Sequence, residues 1–88
     1  MQTRLLTLQA PQGLHLRIAG AIAQVAQHHH ARVTVGCNGC RFADACSVMQ
    51  LLTLGAPCGA AITVEADGPD EDIVIGKLSE LLMNGAGI

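Results

Sequence analysis

Apolar residues recur along this chain with two spacings, one typical of strands and the other of helices. Residues 2–9, rich in Leu and Thr, predict a first strand. Residues 16–28 follow the helical spacing of three to four residues. The apolar positions of this stretch are Ile18, Ile22, Val25 and Ala26. The pattern therefore predicts a strand followed directly by an amphipathic helix.

An Asn-Gly pair gives the clearest local signal. Residues 32–37 alternate between apolar and polar, and residues 40–43 can pair back on them, with Asn-Gly at 38–39 between. Asn and Gly both tolerate the positive φ angles of a type I′ turn, so the sequence predicts a hairpin with a two-residue loop. In that hairpin Cys37 and Cys40 would face each other across the ladder.

A second, shorter helix is predicted from Ser47 to about Leu54. Its positions spaced for burial are Val48, Leu51 and Leu52. Serine is a favoured N-cap because its hydroxyl accepts a hydrogen bond from the first helical turn, and Asp44 upstream is an alternative cap. Gly55 ends the helix.

The last third of the chain alternates over 60–67 and becomes helical after Gly68. Pro69 is placed at the first helical position, and the acidic run 70–72 lies in the first turn, where the helix dipole favours negative charge. The buried stripe of this helix is Val74, Leu78, Leu81 and Leu82.

The element order is β-α-β-β-α-β-α, which predicts the α+β class. We expect a two-layer open-faced β-sandwich, with a four-stranded antiparallel sheet covered on one face by three helices. The chain has 88 residues and no linker, so a single domain over 1–88 is expected.

Composition narrows the classes of function. Half of the residues are apolar, Phe42 is the single aromatic residue, and Lys and Arg together number 5 at a net charge of -2. These values argue against nucleic-acid binding. No apolar run approaches the ~20 residues that span a bilayer. We therefore expect a cytoplasmic protein without membrane insertion, with its four cysteines reduced.

A histidine precedes the first helix. His15 and Arg17 follow the turn after the first strand. The first N–H groups of a helix lack intrahelical acceptors and carry partial positive charge, so a phosphoryl group is well placed there. Neutral imidazole is a nucleophile, and Arg17 adds a permanent cation. These residues indicate a candidate site for reversible phosphorylation, although a plain helix cap would explain them too.

The chain resembles HPr, the histidine-containing phosphocarrier family of the bacterial phosphotransferase system. The resemblance lies in Ala10-Pro-Gln-Gly-Leu-His-Leu-Arg17, in Val33-Thr-Val-Gly-Cys-Asn-Gly39, in the stretch 45–55, and in 59–68. It implies a phosphoenolpyruvate-dependent relay in which His15 accepts a phosphoryl group from enzyme I and passes it to a IIA component, with Arg17 steadying the group. We therefore expect a monomeric carrier that uses neither a metal nor a cofactor and acts as a phosphoryl carrier rather than as a stand-alone enzyme.

The resemblance also implies a partner surface and a regulatory residue. The family's exposed apolar patch matches Leu16, Val48, Met49 and Leu52, and Ser47 matches a serine that a regulatory kinase phosphorylates in many relatives. Two departures are visible. Ile18 stands where the family usually has proline, and the family's lysines on this face are replaced by uncharged residues. Those residues are Gln24, Gln27, Cys46 and Gln50.

Other interpretations remain beside this one. Capping alone explains Ser47 without any kinase, and it is the preferred interpretation of this residue from the sequence. The chain could be a regulatory binding module that acts through Val48, Met49 and Leu52 without a phosphoryl relay. The CxxC spacing at 37–40 resembles a metal or redox motif, but a hairpin tip lacks the helix terminus that activates such a cysteine. The histidines at 28–30 are expected to point in different directions and to complement a helix C-terminus.

Overall fold

The computed structural model describes residues 1–9, 13–37 and 41–83, and its elements follow the predicted order. The predicted turn at 38–39 lies outside the described residues. The strands and helices are β1 (Gln2–Thr7), α1 (Leu16–Gln27), β2 (Arg32–Cys37), β3 (Arg41–Asp44), α2 (Val48–Thr53), β4 (Ala61–Asp67) and α3 (Glu71–Met83).

The four strands form one antiparallel sheet in the order β1-β4-β2-β3. The three helices cover one face of this sheet, and the other face is open. Strand β4 shows the division, because Ile62, Val64 and Ala66 are buried under the helices whereas the alternate positions are partly or fully exposed. The predicted α+β class and open-faced architecture are confirmed.

The helices bury the predicted stripes with small differences. Ile18 and Ile22 of α1 are fully buried, as are Val74 and Leu78 of α3. Four predicted positions are only partly buried at the rim of the core, namely Val25, Val48, Leu52 and Leu81. Ile75 of α3 is buried although it was not in the predicted stripe.

The register of the β2–β3 hairpin differs from the prediction. Cys37 pairs with Arg41 and Gly36 with Phe42, so three residues, and not two, separate the paired strands. The expected Cys37–Cys40 pairing is therefore wrong. Packing explains the register, because a Cβ atom on Gly36 would lie 2.5 Å from Cε1 of Phe42. The only aromatic ring of the chain fills the space that glycine leaves on the open face.

Helix α3 begins later than predicted, at Glu71 and not at Pro69. The N–H of Asp70 donates to the carbonyl oxygen of His30 at 3.2 Å, and the N–H of His30 donates to the Asp70 carboxylate at 2.8 Å. Glu71 reaches back and accepts from the N–H of Gly68 at 3.2 Å. Pro69 thus belongs to a turn that is tied to residue 30, and the helix starts after it.

Candidate functional site

The segment that carries His15 is held against the chain that follows α2. The N–H of Leu14 donates to the carbonyl oxygen of Ala56 at 2.8 Å, and both residues are buried. Gly13 has a φ of 74°, and a Cβ atom there would lie 2.5 Å from the same oxygen of Ala56. This close approach accepts only glycine, and it fixes where α1 begins.

His15 is the N-cap of α1. Its backbone is extended, with φ of -106° and ψ of -179°, and its carbonyl oxygen accepts the first helical hydrogen bond, from Ala19 N–H at 2.9 Å. The side chain turns back over the helix start, where Nδ1 accepts from the N–H of Arg17 at 3.3 Å. An acceptor nitrogen carries a lone pair, so the neutral ring has its proton on Nε2. The partly exposed imidazole thus presents Nδ1 to the positive end of a helix.

Arg17 contributes both its backbone and its charge to this site. Its N–H contacts His15, and its side chain is exposed. Within residues 1–9, 13–37 and 41–83, no acceptor engages the guanidinium. The charge can therefore turn toward an anion on the ring without losing an existing partner.

Ile18, which replaces the family's usual proline, is part of the core. Its side chain is fully buried. A proline ring would fix φ at this position, whereas isoleucine holds the first turn of α1 by packing into the layer between helices and sheet. The His15 site is built on the helix start without the proline.

Ser47 is the N-cap of α2, as predicted, and its hydroxyl accepts from Gln50 N–H at 3.3 Å. It lies far from His15 along α1. The side chain of Gln27, at the C-terminal end of α1, donates to the carbonyl oxygen of Cys46 at 2.9 Å. Helix α1 has 12 residues, or about 18 Å, and His15 precedes its other end. The two candidate phosphorylation residues therefore do not share one site.

The four residues of the apolar patch, Leu16, Val48, Met49 and Leu52, lie on two helices that pack against each other. Leu16 is 66% exposed and Met49 is 72% exposed. Val48 and Leu52 are partly buried and contact the core. The patch thus combines two exposed side chains with two that pack against the core.

The described cysteines and histidines form no group of three or more metal ligands with Asp or Glu. Cys37 is buried and Cys58 is exposed. Partial burial, with the Asp44 carboxylate as a lesser cause, raises the pKa of the Cys46 thiol, which keeps it protonated at neutral pH.

The histidines that follow α1, His28 and His29, were expected to point apart, and their rings contact two different carbonyl oxygens of the helix. Both line one open groove together with Lys77, because the helix ends before them. Each ring donates through Nδ1 to a helix carbonyl, of Gln24 and Val25 respectively, at 2.7 Å. They complement the negative helix end as predicted.

Sequence reasoning missed the residues that place the site. Ala56 was not predicted as a site residue because it contributes its backbone carbonyl and not its side chain. Gln50 was noted only as a missing lysine, yet its side chain accepts from Asp44 N–H at 2.9 Å and steadies the start of α2. The glycine two positions before His15 was the one available signal.

The fold and the site together define a class, small open-faced α+β proteins that present a histidine ring at a helix N-terminus. Residues 2–84 match the family model PTS-HPr, described as the PTS HPr component phosphorylation site. The chain belongs to the HPr family, the phosphocarriers of the phosphotransferase system.

Relatives and solved structures agree with this family. The chain is 37% identical over 75 residues to the phosphocarrier protein HPr of Cupriavidus necator, covering 85% of this chain and 83% of that protein. It is 35% identical over 80 residues to HPr of Chlamydia muridarum, covering 91% and 76%. The crystal structure of HPr-C-His from Thermoanaerobacter tengcongensis superposes with a TM-score of 0.91 at 26% identity, covering 100% and 98%. None of the helices described is long and apolar enough to cross a membrane.

Proposed function

We propose that this protein, acting as a single domain, carries a phosphoryl group on Nδ1 of His15, accepts it from enzyme I and passes it to a IIA component. The contact that carries the proposal is the hydrogen bond from Arg17 N–H to Nδ1. It leaves the nucleophilic lone pair on the nitrogen that faces the helix start.

The transfer needs no group beyond the two proteins. Nδ1 attacks the phosphorus of the phosphorylated donor, the new N–P bond forms, and the bond from phosphorus to the donor's leaving atom breaks. The ring keeps its Nε2 proton, so no base is required on this chain. In the second transfer, a nucleophile of the acceptor protein attacks the same phosphorus and forms the new bond. The N–P bond breaks, and its electron pair returns to Nδ1.

The helix start stabilises the phosphorylated ring. Once Nδ1 is bonded to phosphorus, Arg17 N–H loses its ring acceptor and can donate to a phosphoryl oxygen. The helix dipole contributes about 0.3–1 kcal/mol at an exposed site, and the exposed guanidinium of Arg17 adds a second cationic group that can donate to the phosphoryl oxygens. Such modest stabilisation suits a carrier, since a phosphoryl group held too tightly would not be passed on.

Ser47 is proposed as a regulatory phosphosite for a protein kinase. Its hydroxyl lies at the N-terminus of α2, where a phosphate is electrostatically tolerated, and it is followed in sequence by Val48 and Met49 of the apolar patch. A dianion beside this patch would weaken apolar docking without touching His15.

Phosphorylation followed by intact mass tests the proposal. Incubation with enzyme I and phosphoenolpyruvate is expected to add one acid-labile phosphoryl group, absent in His15→Ala and retained in His28→Ala. Lack of any gain in the wild-type chain, or an equal gain in His15→Ala, would contradict it.

A regulatory binding module is the second candidate. It is favoured by the exposure of Leu16 and Met49, which provides a docking surface whether or not His15 reacts. This candidate expects a chain that takes up no phosphoryl group, with partner binding unchanged in His15→Ala and lost in Met49→Asp.

A further inference from the structure

Charge is distributed unevenly over this molecule. Six of the seven acidic residues lie between positions 65 and 80, on β4, at the start of α3 and along it. They are Glu65, Asp67, Asp70, Glu71, Asp72 and Glu80. Most of the acidic side chains thus lie on β4 and α3, which we call the acidic side, and Arg4, Arg32 and Lys77 of the same region offset part of their charge.

The helices beside His15 are almost without charge. Residues 45–60, which include all of α2, contain no charged side chain, and residues 13–30 contain one permanent charge, Arg17. We call α1 together with the segment 45–60 the uncharged face. Lys77 lies at the C-terminal end of α1, far from His15, where it lines an open groove with Gln24 and its ammonium lies 3.3 Å from Nε2 of His29.

The outer row of α1 is built for close contact. Leu16, Gly20, Gln24 and Gln27 follow one another at helical spacing. Leu16 and the two glutamines are exposed, and a Cβ atom on Gly20 would meet nothing within 4 Å. Beside this row, Met49 projects from α2 with an adaptable, unbranched side chain.

We propose that the uncharged face docks a phosphoryl-donor protein whose own surface around its active site is apolar and poor in charge. This rests on the proposed function and names the partner surface of the same site. Among the described residues, a partner rimmed with carboxylates would find Arg17 beside His15 and Lys77 at the far end of α1 to attract it, and the acidic side of this chain would repel it. A partner rimmed with lysines would be drawn to β4 and α3, away from His15. Apolar contacts through Leu16 and Met49 therefore bind the donor protein and place its active site at His15.

Ionic strength separates this mode of docking from electrostatic steering. Association that depends on opposite charges slows steeply with added salt, whereas apolar association does not. With the enzyme I encoded in the same genome, we expect kcat/KM for phosphoryl uptake to change by less than about two-fold between about 50 and about 500 mM NaCl. A fall of about ten-fold or more would overturn the proposal.

Two lysine variants compare the effect of an added positive charge on the uncharged face with its effect on α3. Gln24→Lys places a cation on the uncharged face, and Ile73→Lys places one on an exposed position of α3. Neither is expected to raise kcat/KM at low salt by more than about two-fold. A larger, salt-sensitive gain for Gln24→Lys alone would show that the donor carries carboxylates there and would contradict the proposal.

A binding measurement reads the surface independently of chemistry. In an NMR titration of ¹⁵N-labelled protein with unphosphorylated enzyme I, we expect changes in the amide chemical shifts of α1 and α2. We expect binding to be lost in Met49→Asp and to be normal in Ile73→Asp. Binding without phosphoryl uptake would refute the proposed relay while supporting this face. Phosphoryl uptake with a steep salt dependence would support the relay and contradict apolar docking. Equal binding by both Asp variants would show that the uncharged face is not the docking surface.

Discussion

Gly13 is the residue on which the position of His15 depends most directly. Its φ of 74° and its approach to the Ala56 carbonyl set the chain direction into α1. Gly55 also has a positive φ, of 60°, but a Cβ atom there would meet nothing within 4 Å. Comparing substitutions at the two glycines therefore separates the energetic cost of backbone strain from that of steric contact.

Alanine at these two positions should give different losses. Gly55→Ala carries only the left-handed strain, about 1–2 kcal/mol. Gly13→Ala carries the same strain and a clash with Ala56, so we expect a larger loss of unfolding free energy, together with slower phosphoryl uptake. Urea unfolding of both variants checks the difference. Equal losses would show that the contact with Ala56 does not constrain the site.

The sequence indicated His15 and Arg17 as candidate site residues, but it did not indicate the contacts that hold them in place. His15 and Arg17 were recognisable because a histidine and an arginine at a helix start suit an anion. The bond from Leu14 to Ala56 was not, since any residue provides a carbonyl and the contact joins segments about forty residues apart. The sequence showed that Ile18 replaces a proline, and the structure shows that its side chain is fully buried in the core.

Helix α2 shows how much a short element depends on its cap. It has six residues, and only Leu51 is fully buried. Isolated helices of this length are not stable, so its hydrogen bonds at Ser47 and the packing of Leu51 must hold it. The cap is therefore measurable in the stability of the protein.

Ser47→Ala should lower the free energy of unfolding by about 1 kcal/mol, because the hydroxyl no longer accepts from Gln50 N–H. Ser47→Asn keeps a capping oxygen and should stay within about 0.5 kcal/mol of the wild type. Denaturant unfolding of both variants provides the test. No loss in the alanine variant would leave phosphorylation as the remaining reason for a serine here.

The start of α3 makes the free energy of unfolding depend on pH. The Gly68 N–H, and secondarily the amino group of Met1 at 3.1 Å, lower the pKa of the Glu71 carboxyl. A carboxyl whose pKa is lower in the folded state stabilises the fold above its unfolded pKa, and this stabilisation is lost as pH falls through the folded pKa. Glu71→Gln should thus be destabilised near neutral pH, with the difference disappearing in acid.

Unfolding free energies measured from neutral pH down to about pH 2 would show this convergence. Glu80→Gln, which removes an exposed carboxyl from the same helix, is the control. A difference for Glu71→Gln that persists unchanged in acid would mean that packing and not ionisation causes it.

At the element scale, periodicity, composition and turn signals predicted the order of the described helices and strands, and errors arose where contacts with distant segments decide the boundary or the register. The hairpin register follows Phe42 over Gly36, a packing preference that outweighs the Asn-Gly turn signal. The start of α3 follows hydrogen bonds to His30, forty residues away from Asp70. Local patterns cannot contain such partners.

At the scale of the whole molecule, the sheet separates two kinds of surface. Its helix-covered side buries the aliphatic core and presents His15 with the apolar patch, while its open face carries Leu5 and Phe42 among threonines and acidic residues. The alternation of apolar and polar positions sufficed to predict this layering. The clustering of acidic residues at 65–80 is visible in the sequence, and the fold places these residues on β4, in the turn before α3 and on α3.

The identity of the phosphorylated nitrogen is the most direct test of this account. Protein with ¹⁵N-labelled histidine, phosphorylated by enzyme I and phosphoenolpyruvate, is examined by NMR for coupling between ring nitrogen and ³¹P. We predict coupling at Nδ1 of His15, with Nε2 still protonated. Coupling at Nε2, or at a histidine within 28–30, would contradict the assignment of the helix start as the phosphoryl site.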